Sequence, residues 1–161
     1  MLLVSDLNFD PIAELLGKFG LVLDLLADEK TINGSYWGEP EAGISGDRVY
    51  VRSDTPVHSL LHETCHVVCM TPDRRQKHKG DAGGDDIEEC AVCYLQIVLA
   101  DELSGAGRDR LMQDMDDWGY SFRLGSTRHW FEKDAEDARS WLRTEGLLRG
   151  NDLPTYRLRQ S

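Results

Sequence analysis

The sequence predicts an α+β fold, built as one domain over residues 1–161, with a small, mostly antiparallel sheet packed on a helical layer. Three observations predict it. Apolar residues recur at helical spacing in several separate segments. Glycines, aromatic and β-branched residues gather in one short region between residues 31 and 54. The chain length suits one hydrophobic core rather than two.

The N-terminal third is predicted to contain one long helix followed by the sheet. A helix-start signal at Asp10-Pro11 precedes apolar residues at helical spacing, so we expect a helix over about residues 11–28. The clearest strand of the next region is Arg48–Arg52, whose alternation places its two valines on one face. We expect this strand to form an edge along which an extended peptide can bind.

Four helices are predicted in the rest of the chain. The first runs from Val57 to Met70, between the start signal at Thr55-Pro56 and the stop at Thr71-Pro72. Residues 73–85 are charged and glycine-rich and are predicted to form an exposed loop. The remaining helices are predicted over about Asp86–Leu103, Arg108–Trp118 and Thr127–Glu145, and the last two end at a glycine. We expect an irregular tail after Gly150.

The acidic composition narrows the possible partners. The formal net charge is −11, from 18 Lys and Arg against 29 Asp and Glu. Such a chain repels phosphate backbones, and no basic stripe interrupts the acidic runs, so we expect no nucleic acid partner. We also expect no membrane partner, because no run of about 20 apolar residues occurs. The first residues do not resemble a secretion signal, which predicts a cytoplasmic protein. The sequence does not choose an oligomeric state.

The pentad His62-Glu63-Thr64-Cys65-His66 has the HExxH pattern of helical zinc sites. Side chains four residues apart lie above one another on a helix, so both imidazoles can reach one ion. Glu63 points about 100° away from His62, where its carboxylate can act as general base on a water at the metal. The sequence therefore predicts one Zn²⁺ per chain, bound by His62 and His66, with Glu63 as the catalytic residue.

A catalytic zinc site needs a third protein ligand. In the helix predicted from Asp86, amphipathic spacing places Glu88 at the flank of the buried face, and places Glu89 with Gln96 on the opposite, solvent-facing side. This argument favours Glu88. The alternatives that remain open are Glu89, Asp85, Asp86 and His58, which lies one turn before His62.

The cysteines permit a different metal site. All four lie in predicted helices and could form a closed, structural zinc centre of four thiolates; they are Cys65, Cys69, Cys90 and Cys93. The simpler interpretation is that they are buried, free thiols.

Other polar and aromatic residues have less certain roles. A hydrolase needs a group that stabilises a developing oxyanion, and the possible groups are Tyr120, His129 and Tyr36. The tryptophans are predicted to anchor the core; they are Trp37, Trp118, Trp130 and Trp141.

Residues 48–103 resemble the gluzincin metallopeptidases, and in particular their small ImmA/IrrE-like members. The resemblance rests on the strand, the HExxH helix, the polar loop and the helix opening Glu88-Glu89-Cys90-Ala91-Val92-Cys93-Tyr94-Leu95, which is similar to that family's Glu-x-x-Ala-x-x-aromatic pattern. It implies that the α+β fold has a zincin-like minimal core. It also implies that Glu88 is the third zinc ligand.

The sequence thus favours a zinc-dependent metallopeptidase that hydrolyses a protein or peptide substrate, with Glu63 as general base. One alternative is a non-catalytic zinc-binding module that acts by binding a partner protein. Another is a chance HExxH match, which predicts no bound metal.

Overall fold

The computed structural model describes residues 1–123 and 125–161, and within them it contains seven α-helices and three β-strands. This arrangement confirms the predicted α+β class. A short 3-10 helix, Val4–Asp6, precedes them. In chain order the elements are α1 (Phe9–Lys18), β1 (Val22–Leu25), β2 (Gly43–Ser45), β3 (Arg48–Val51), α2 (Val57–Cys69), α3 (Pro72–Lys77), α4 (Asp86–Ala100), α5 (Arg108–Trp118), α6 (Thr127–Lys133) and α7 (Glu136–Thr144).

The sheet is mixed, with strand order β1-β3-β2. Strand β1 runs parallel to β3, and β2 runs antiparallel to it, so the prediction of a mostly antiparallel sheet was wrong. Strand β3 is central and cannot offer the free edge that the sequence suggested. The outer edge of β2 is also covered, because the backbone of Ile44 accepts a hydrogen bond from Gly80 and donates one to Gly34.

The predicted long helix over residues 11–28 is in fact a helix and a strand. Helix α1 ends at Lys18, and Gly20 adopts φ +76°, a left-handed conformation that suits glycine after a helix end. The amide of Leu21 then donates to the carbonyl of Leu16 at 3.0 Å, which closes the last turn. Beyond this point the chain forms β1. The spacing of so short an apolar run does not distinguish a strand from a helix.

The helices of the C-terminal half agree with the sequence except at two places. The predicted exposed loop contains α3, which begins with Pro72 and is capped by the Thr71 side chain. The helix predicted over Thr127–Glu145 is interrupted between α6 and α7. Asp134, at that break, binds Arg123 through its carboxylate, a tertiary contact that helical periodicity does not reveal.

Helix α2 lies at the centre of the fold. It packs against β2 and β3 on one side and against α4 and α5 on the other, and α4 in turn packs against α5 and α7. Every side chain from Ala91 to Ala100 is buried. Among the described residues, none of the helices combines the length and the apolar character needed to cross a membrane.

Two arginines bind the carbonyl groups at the C-terminal end of α2, which have no partner inside the helix. Arg75 donates to the carbonyls of Val67 at 2.9 Å and Met70 at 2.7 Å. Arg159, in the C-terminal tail, donates to the carbonyl of Cys69 at 3.2 Å. The tail has no helix or strand within the described residues, as predicted, but it is fixed against the central helix.

The packing of α4 gives the first prediction. Leu95 is fully buried in the core, and its replacement in Leu95→Ala leaves a cavity that neighbouring helices cannot fill. We expect a loss of about 2–5 kcal/mol in the free energy of unfolding, measured by urea denaturation. Leu153→Ala is the matched control, because Leu153 is 51% exposed. Equal stability of the two variants would contradict the described packing.

Candidate metal centre

The HExxH helix places its two histidines side by side. His62 and His66 are one turn apart on α2, and their Nε2 atoms lie 3.1 Å from each other. His62 is the only residue of α2 that is not buried within the described structure. The surrounding side chains are buried against the sheet and against α4. The helix therefore opens to solvent only where its imidazoles are.

Glu89 is the third residue of this group. Its Oε1 lies 3.0 Å from Nε2 of His62, and its Oε2 lies 3.2 Å from Nε2 of His66. The prediction placed Glu88 here, and the structure places Glu89 here instead. The Glu89 side chain is half exposed, as its helical position suggested, but its exposed side faces the cleft above the histidines.

Glu88 points away from the histidines into a buried ion cluster. Arg74 donates to both of its carboxylate oxygens, at 2.9 and 2.7 Å, and Arg159 donates to Oε1 at 3.0 Å. Adjacent residues of a helix point about 100° apart, so Glu88 and Glu89 serve different partners. The amphipathic argument found the buried glutamate correctly. It assigned the wrong partner, because burial served an ion pair rather than a metal.

The three side chains fit a metal ion. A tetrahedral ion with bonds of about 2.0 Å keeps its ligand atoms about 3.3 Å apart, close to the separations between the donor atoms here. The donor atoms of His62, His66 and Glu89 all lie within 4.8 Å of one another, and no other such group of His, Cys, Asp or Glu exists in residues 1–123 and 125–161. This group can bind a metal ion.

Gln96 fixes the orientation of the His62 ring. Its amide nitrogen donates to the carbonyl of His58 at 3.1 Å, and this bond requires the amide oxygen to face the other way. That oxygen lies 2.7 Å from Nδ1 of His62 and can only accept a hydrogen bond. His62 therefore carries a proton on Nδ1, so Nε2 is the ring nitrogen that faces Glu89 and that can bind an ion once its own proton has left.

The two glutamates of the site have opposite pKa shifts. Burial by itself raises the pKa of Glu89, but hydrogen bonds with His62 and His66 outweigh burial and hold this pKa well below its ordinary value. Glu89 is therefore an anion, as a metal ligand must be. Burial raises the pKa of Glu63, although His62 and His66 oppose the shift. A carboxylate with a raised pKa is a stronger base.

The remaining alternatives for the third ligand have other partners. The Nδ1 atom of His58 lies 3.1 Å from the hydroxyl of Tyr120, and burial lowers the pKa of His58 to about 4, which keeps it neutral. Asp85 caps the N-terminus of α4 by accepting from the amide of Glu88 at 3.0 Å. Asp86 is exposed in the first turn of α4 and outside the group.

The cysteines do not form a metal centre within the described residues. All four are free thiols, and three of them, Cys65, Cys69 and Cys93, are buried. Burial raises the pKa of the Cys65 thiol well above its ordinary value. A buried thiol packs as a small hydrophobic residue, and no three of these sulfur atoms lie close enough together to hold an ion.

Tyr120 brings a hydroxyl group to the cleft beside His62. Its ring lies 5.7 Å from the ring of His62, centroid to centroid, and burial raises its pKa to about 12. The hydroxyl therefore stays protonated at neutral pH. Of the other two residues considered for this role, His129 is exposed and lines neither cleft of the site, and Tyr36 lines the cleft beside Glu63.

Two clefts meet at His62, His66 and Glu89, which are called the metal group here. The larger, with a volume of about 540 Å³, lies beside Trp118 and Tyr120 and is called the tryptophan cleft here. The smaller, of about 210 Å³, lies beside Glu63 and is called the glycine cleft, because Gly80 and Gly83 line it. His62, Glu89 and Trp37 line both clefts. Together they form one trough that passes over the histidines.

Two tryptophans are not core anchors, contrary to the sequence-based prediction. The exposed fraction is 74% for Trp37 and 44% for Trp118, and both indoles line the tryptophan cleft. The prediction that Gln96 lies on the solvent-facing side of its helix was also wrong, because Gln96 is fully buried; a single amide within an otherwise apolar helix was a usable signal for a buried role. Glu89 and Gln96 are seven residues apart, which places them on the same helix face.

Comparison of the chain with protein-family models, with curated proteins and with solved structures found no match. The chemical interpretation of the site therefore rests on its geometry.

The metal group gives a prediction that separates the two adjacent glutamates. Purified wild type is expected to hold one equivalent of metal per chain by elemental analysis, and His62→Ala none. Glu89→Gln should bind the ion more weakly by over about 100-fold, the upper figure for losing an outer-shell partner. Glu88→Gln should keep the ion. Its free energy of unfolding should fall by about 2 kcal/mol, because Arg74 and Arg159 lose the charge of their buried partner. Loss of the ion in Glu88→Gln, together with its retention in Glu89→Gln, would contradict this site.

A second prediction concerns Gln96. Gln96→Leu removes the acceptor of the His62 Nδ1 proton, and the affinity for added Zn²⁺ should fall by about 10–100-fold. Competition with a chromophoric chelator measures this affinity. Gln113→Leu is the matched control, because Gln113 is exposed on α5. Unchanged affinity in Gln96→Leu would show that the ring orientation does not depend on this amide.

Proposed function

We propose that this protein is a zinc-dependent metallopeptidase that cleaves peptide bonds of a protein or peptide substrate. The observation that carries the proposal is the convergence of His62, His66 and Glu89 in an open trough, with the buried carboxylate of Glu63 beside them. Two imidazoles and a carboxylate form a ligand set of catalytic zinc sites. Structural zinc sites are closed by four protein ligands, whereas this group has three.

The donor atoms favour zinc over the harder cations. Calcium and magnesium prefer sites built of oxygen ligands, while two of the three donors here are imidazole nitrogens. When bound, zinc supplies Lewis acidity, which makes water easier to deprotonate and polarises a carbonyl group.

Glu63 supplies the proton transfers of the proposed reaction. Its carboxylate accepts a proton from the attacking water and passes it to the nitrogen of the leaving amine as the peptide bond breaks. Its burial and its raised pKa suit both steps, because the group must be a good base first and an acid afterwards. It lines the glycine cleft together with the two histidines.

Tyr120 faces the trough from the opposite side. Its protonated hydroxyl can donate a hydrogen bond to the oxygen on which negative charge develops during attack on the carbonyl. His58 holds this hydroxyl from behind through the contact at 3.1 Å. An extended peptide that crosses the histidines would thus lie between Glu63 and Tyr120.

The test is the isosteric variant Glu63→Gln. It should retain one equivalent of zinc and a similar free energy of unfolding, while the rate of peptide cleavage falls by about 10²–10⁴-fold. The substrate is a random peptide library with blocked ends, and mass spectrometry detects the products. Glu14→Gln, an exposed change on α1 outside the trough, should cleave like wild type.

The same experiment identifies the alternative. A wild-type protein that binds zinc and cleaves no peptide, with Glu63→Gln indistinguishable from it, would sink the peptidase proposal. The site would then act in a non-catalytic zinc-binding module.

A further inference from the structure

We infer that the tryptophan cleft binds a positively charged side chain, arginine or lysine, of the peptide substrate next to the bond that is cut. This inference rests on the proposed function and names its substrate class. It rests on the aromatic walls, on the carboxylates and on the absence of lysine and arginine among the described residues that line the cleft.

Aromatic surfaces form two walls of the cleft. Trp37 stands on the loop before β2, where Tyr36 supports it edge to face with ring centroids 4.9 Å apart. Trp118, at the end of α5, is supported by His58 with centroids 5.0 Å apart. Both indoles stay largely exposed despite these contacts. The face of an indole attracts a guanidinium or ammonium group within about 6 Å of its centroid.

Two carboxylates line the same cleft and are held in place from behind. Glu39 accepts a hydrogen bond from the amide of Ile32 at 2.7 Å. Glu41 accepts one from the hydroxyl of Ser59 on α2 at 3.2 Å. Neither forms a salt bridge with any residue in 1–123 or 125–161. Each carboxylate therefore keeps the capacity to pair with a cation from the substrate.

Acidic side chains outnumber basic ones in the trough. Among the described residues that line the two clefts, the acidic ones are Glu39, Glu41, Glu63, Asp81 and Glu89, none is a lysine or arginine, and the imidazoles of His62 and His66 already contact Glu89. A bound divalent ion would offset the charge of Glu89, but Glu39 and Glu41 are not among the residues that would hold it.

The two clefts differ in volume and in the residues that line them. The glycine cleft is small and is lined by Gly80, Gly83 and Ala82, so it suits the backbone of an extended peptide. The tryptophan cleft has more than twice its volume and contains the indoles and the two unpaired carboxylates. A long side chain with a cationic end can lay its methylene groups along the indoles and bring its charge to Glu39 and Glu41.

The experiment compares an arginine peptide with its citrulline analogue, which has the same shape and no charge. The random peptide library identifies the cleaved sequence, and kcat/KM is then measured for the matched pair.

We expect wild type to prefer arginine by about tenfold or more, and Glu41→Gln to reduce this preference to about twofold. Trp37→Leu should lower it as well. Glu14→Gln, outside the trough, should keep the wild-type ratio. Use of the ratio removes any effect of Glu41 on the chemistry common to both peptides.

The outcomes separate the inference from the proposed function. Cleavage of both peptides at equal kcat/KM, or equal losses for both in Glu41→Gln, would overturn the cation pocket and leave the peptidase intact. If wild type cleaves nothing, calorimetry with zinc-loaded Glu63→Gln decides the inference, with two end-blocked peptide pools of random sequence that differ only in a fixed central arginine or citrulline. Preferred binding of the arginine peptide would support the pocket without the peptidase, whereas equal binding or none would overturn it.

Discussion

The contact between α2 and α4 is the interaction on which the rest of the structure depends. Helix α2 contributes His62 and His66, and α4 contributes Glu89 and, one buried layer below, Gln96. Neither helix contains a complete site. Both are otherwise buried by apolar side chains, so their separation and rotation are fixed by packing. Most polar groups between these helices satisfy one another or face the trough, since an unpaired polar group in this core would cost about 1–3 kcal/mol; the exceptions on α2 are His58 Nε2 and His66 Nδ1, which are buried without a hydrogen-bond partner. The site is therefore a consequence of how the core closes.

Two buried polar contacts set the register between these helices. The Glu88 carboxylate holds Arg74 and Arg159, and Arg159 also binds the last turn of α2. One cluster thus joins the start of α4, the end of α2 and the C-terminal tail. A buried ion pair is a poor source of net stability, because desolvation offsets most of the attraction. It does require a specific geometry, however. Here it fixes the first turn of α4 and therefore the position of Glu89, the residue after Glu88. Gln96 fixes the other end through His62 and the His58 carbonyl.

The pKa values of the glutamates in the trough depend on how deeply each side chain is buried and on which groups bind it. Glu63 is almost fully buried, and its pKa rises because water is excluded. Glu89 is half exposed, yet its pKa falls because two imidazoles bind it. The pKa values of the two glutamates are thus shifted in opposite directions by their surroundings alone. The loop before β2 adds further negative charge and an exposed indole to the same trough. An acidic trough favours a cationic occupant.

The sequence by itself determined the parts of the site that belong to one helix. His62, Glu63 and His66 follow from local periodicity, and the bounds of α2, α5 and most of α4 follow from caps, glycines and apolar spacing. Tertiary structure decided whatever depends on distant partners. Glu88 and Glu89 are neighbours of the same type, and the choice between them required Arg159, which is 71 positions away from Glu88. Likewise β1 was taken for helix, and Trp37 and Trp118 for core, because a local pattern records that a residue is apolar but not whether another element covers it.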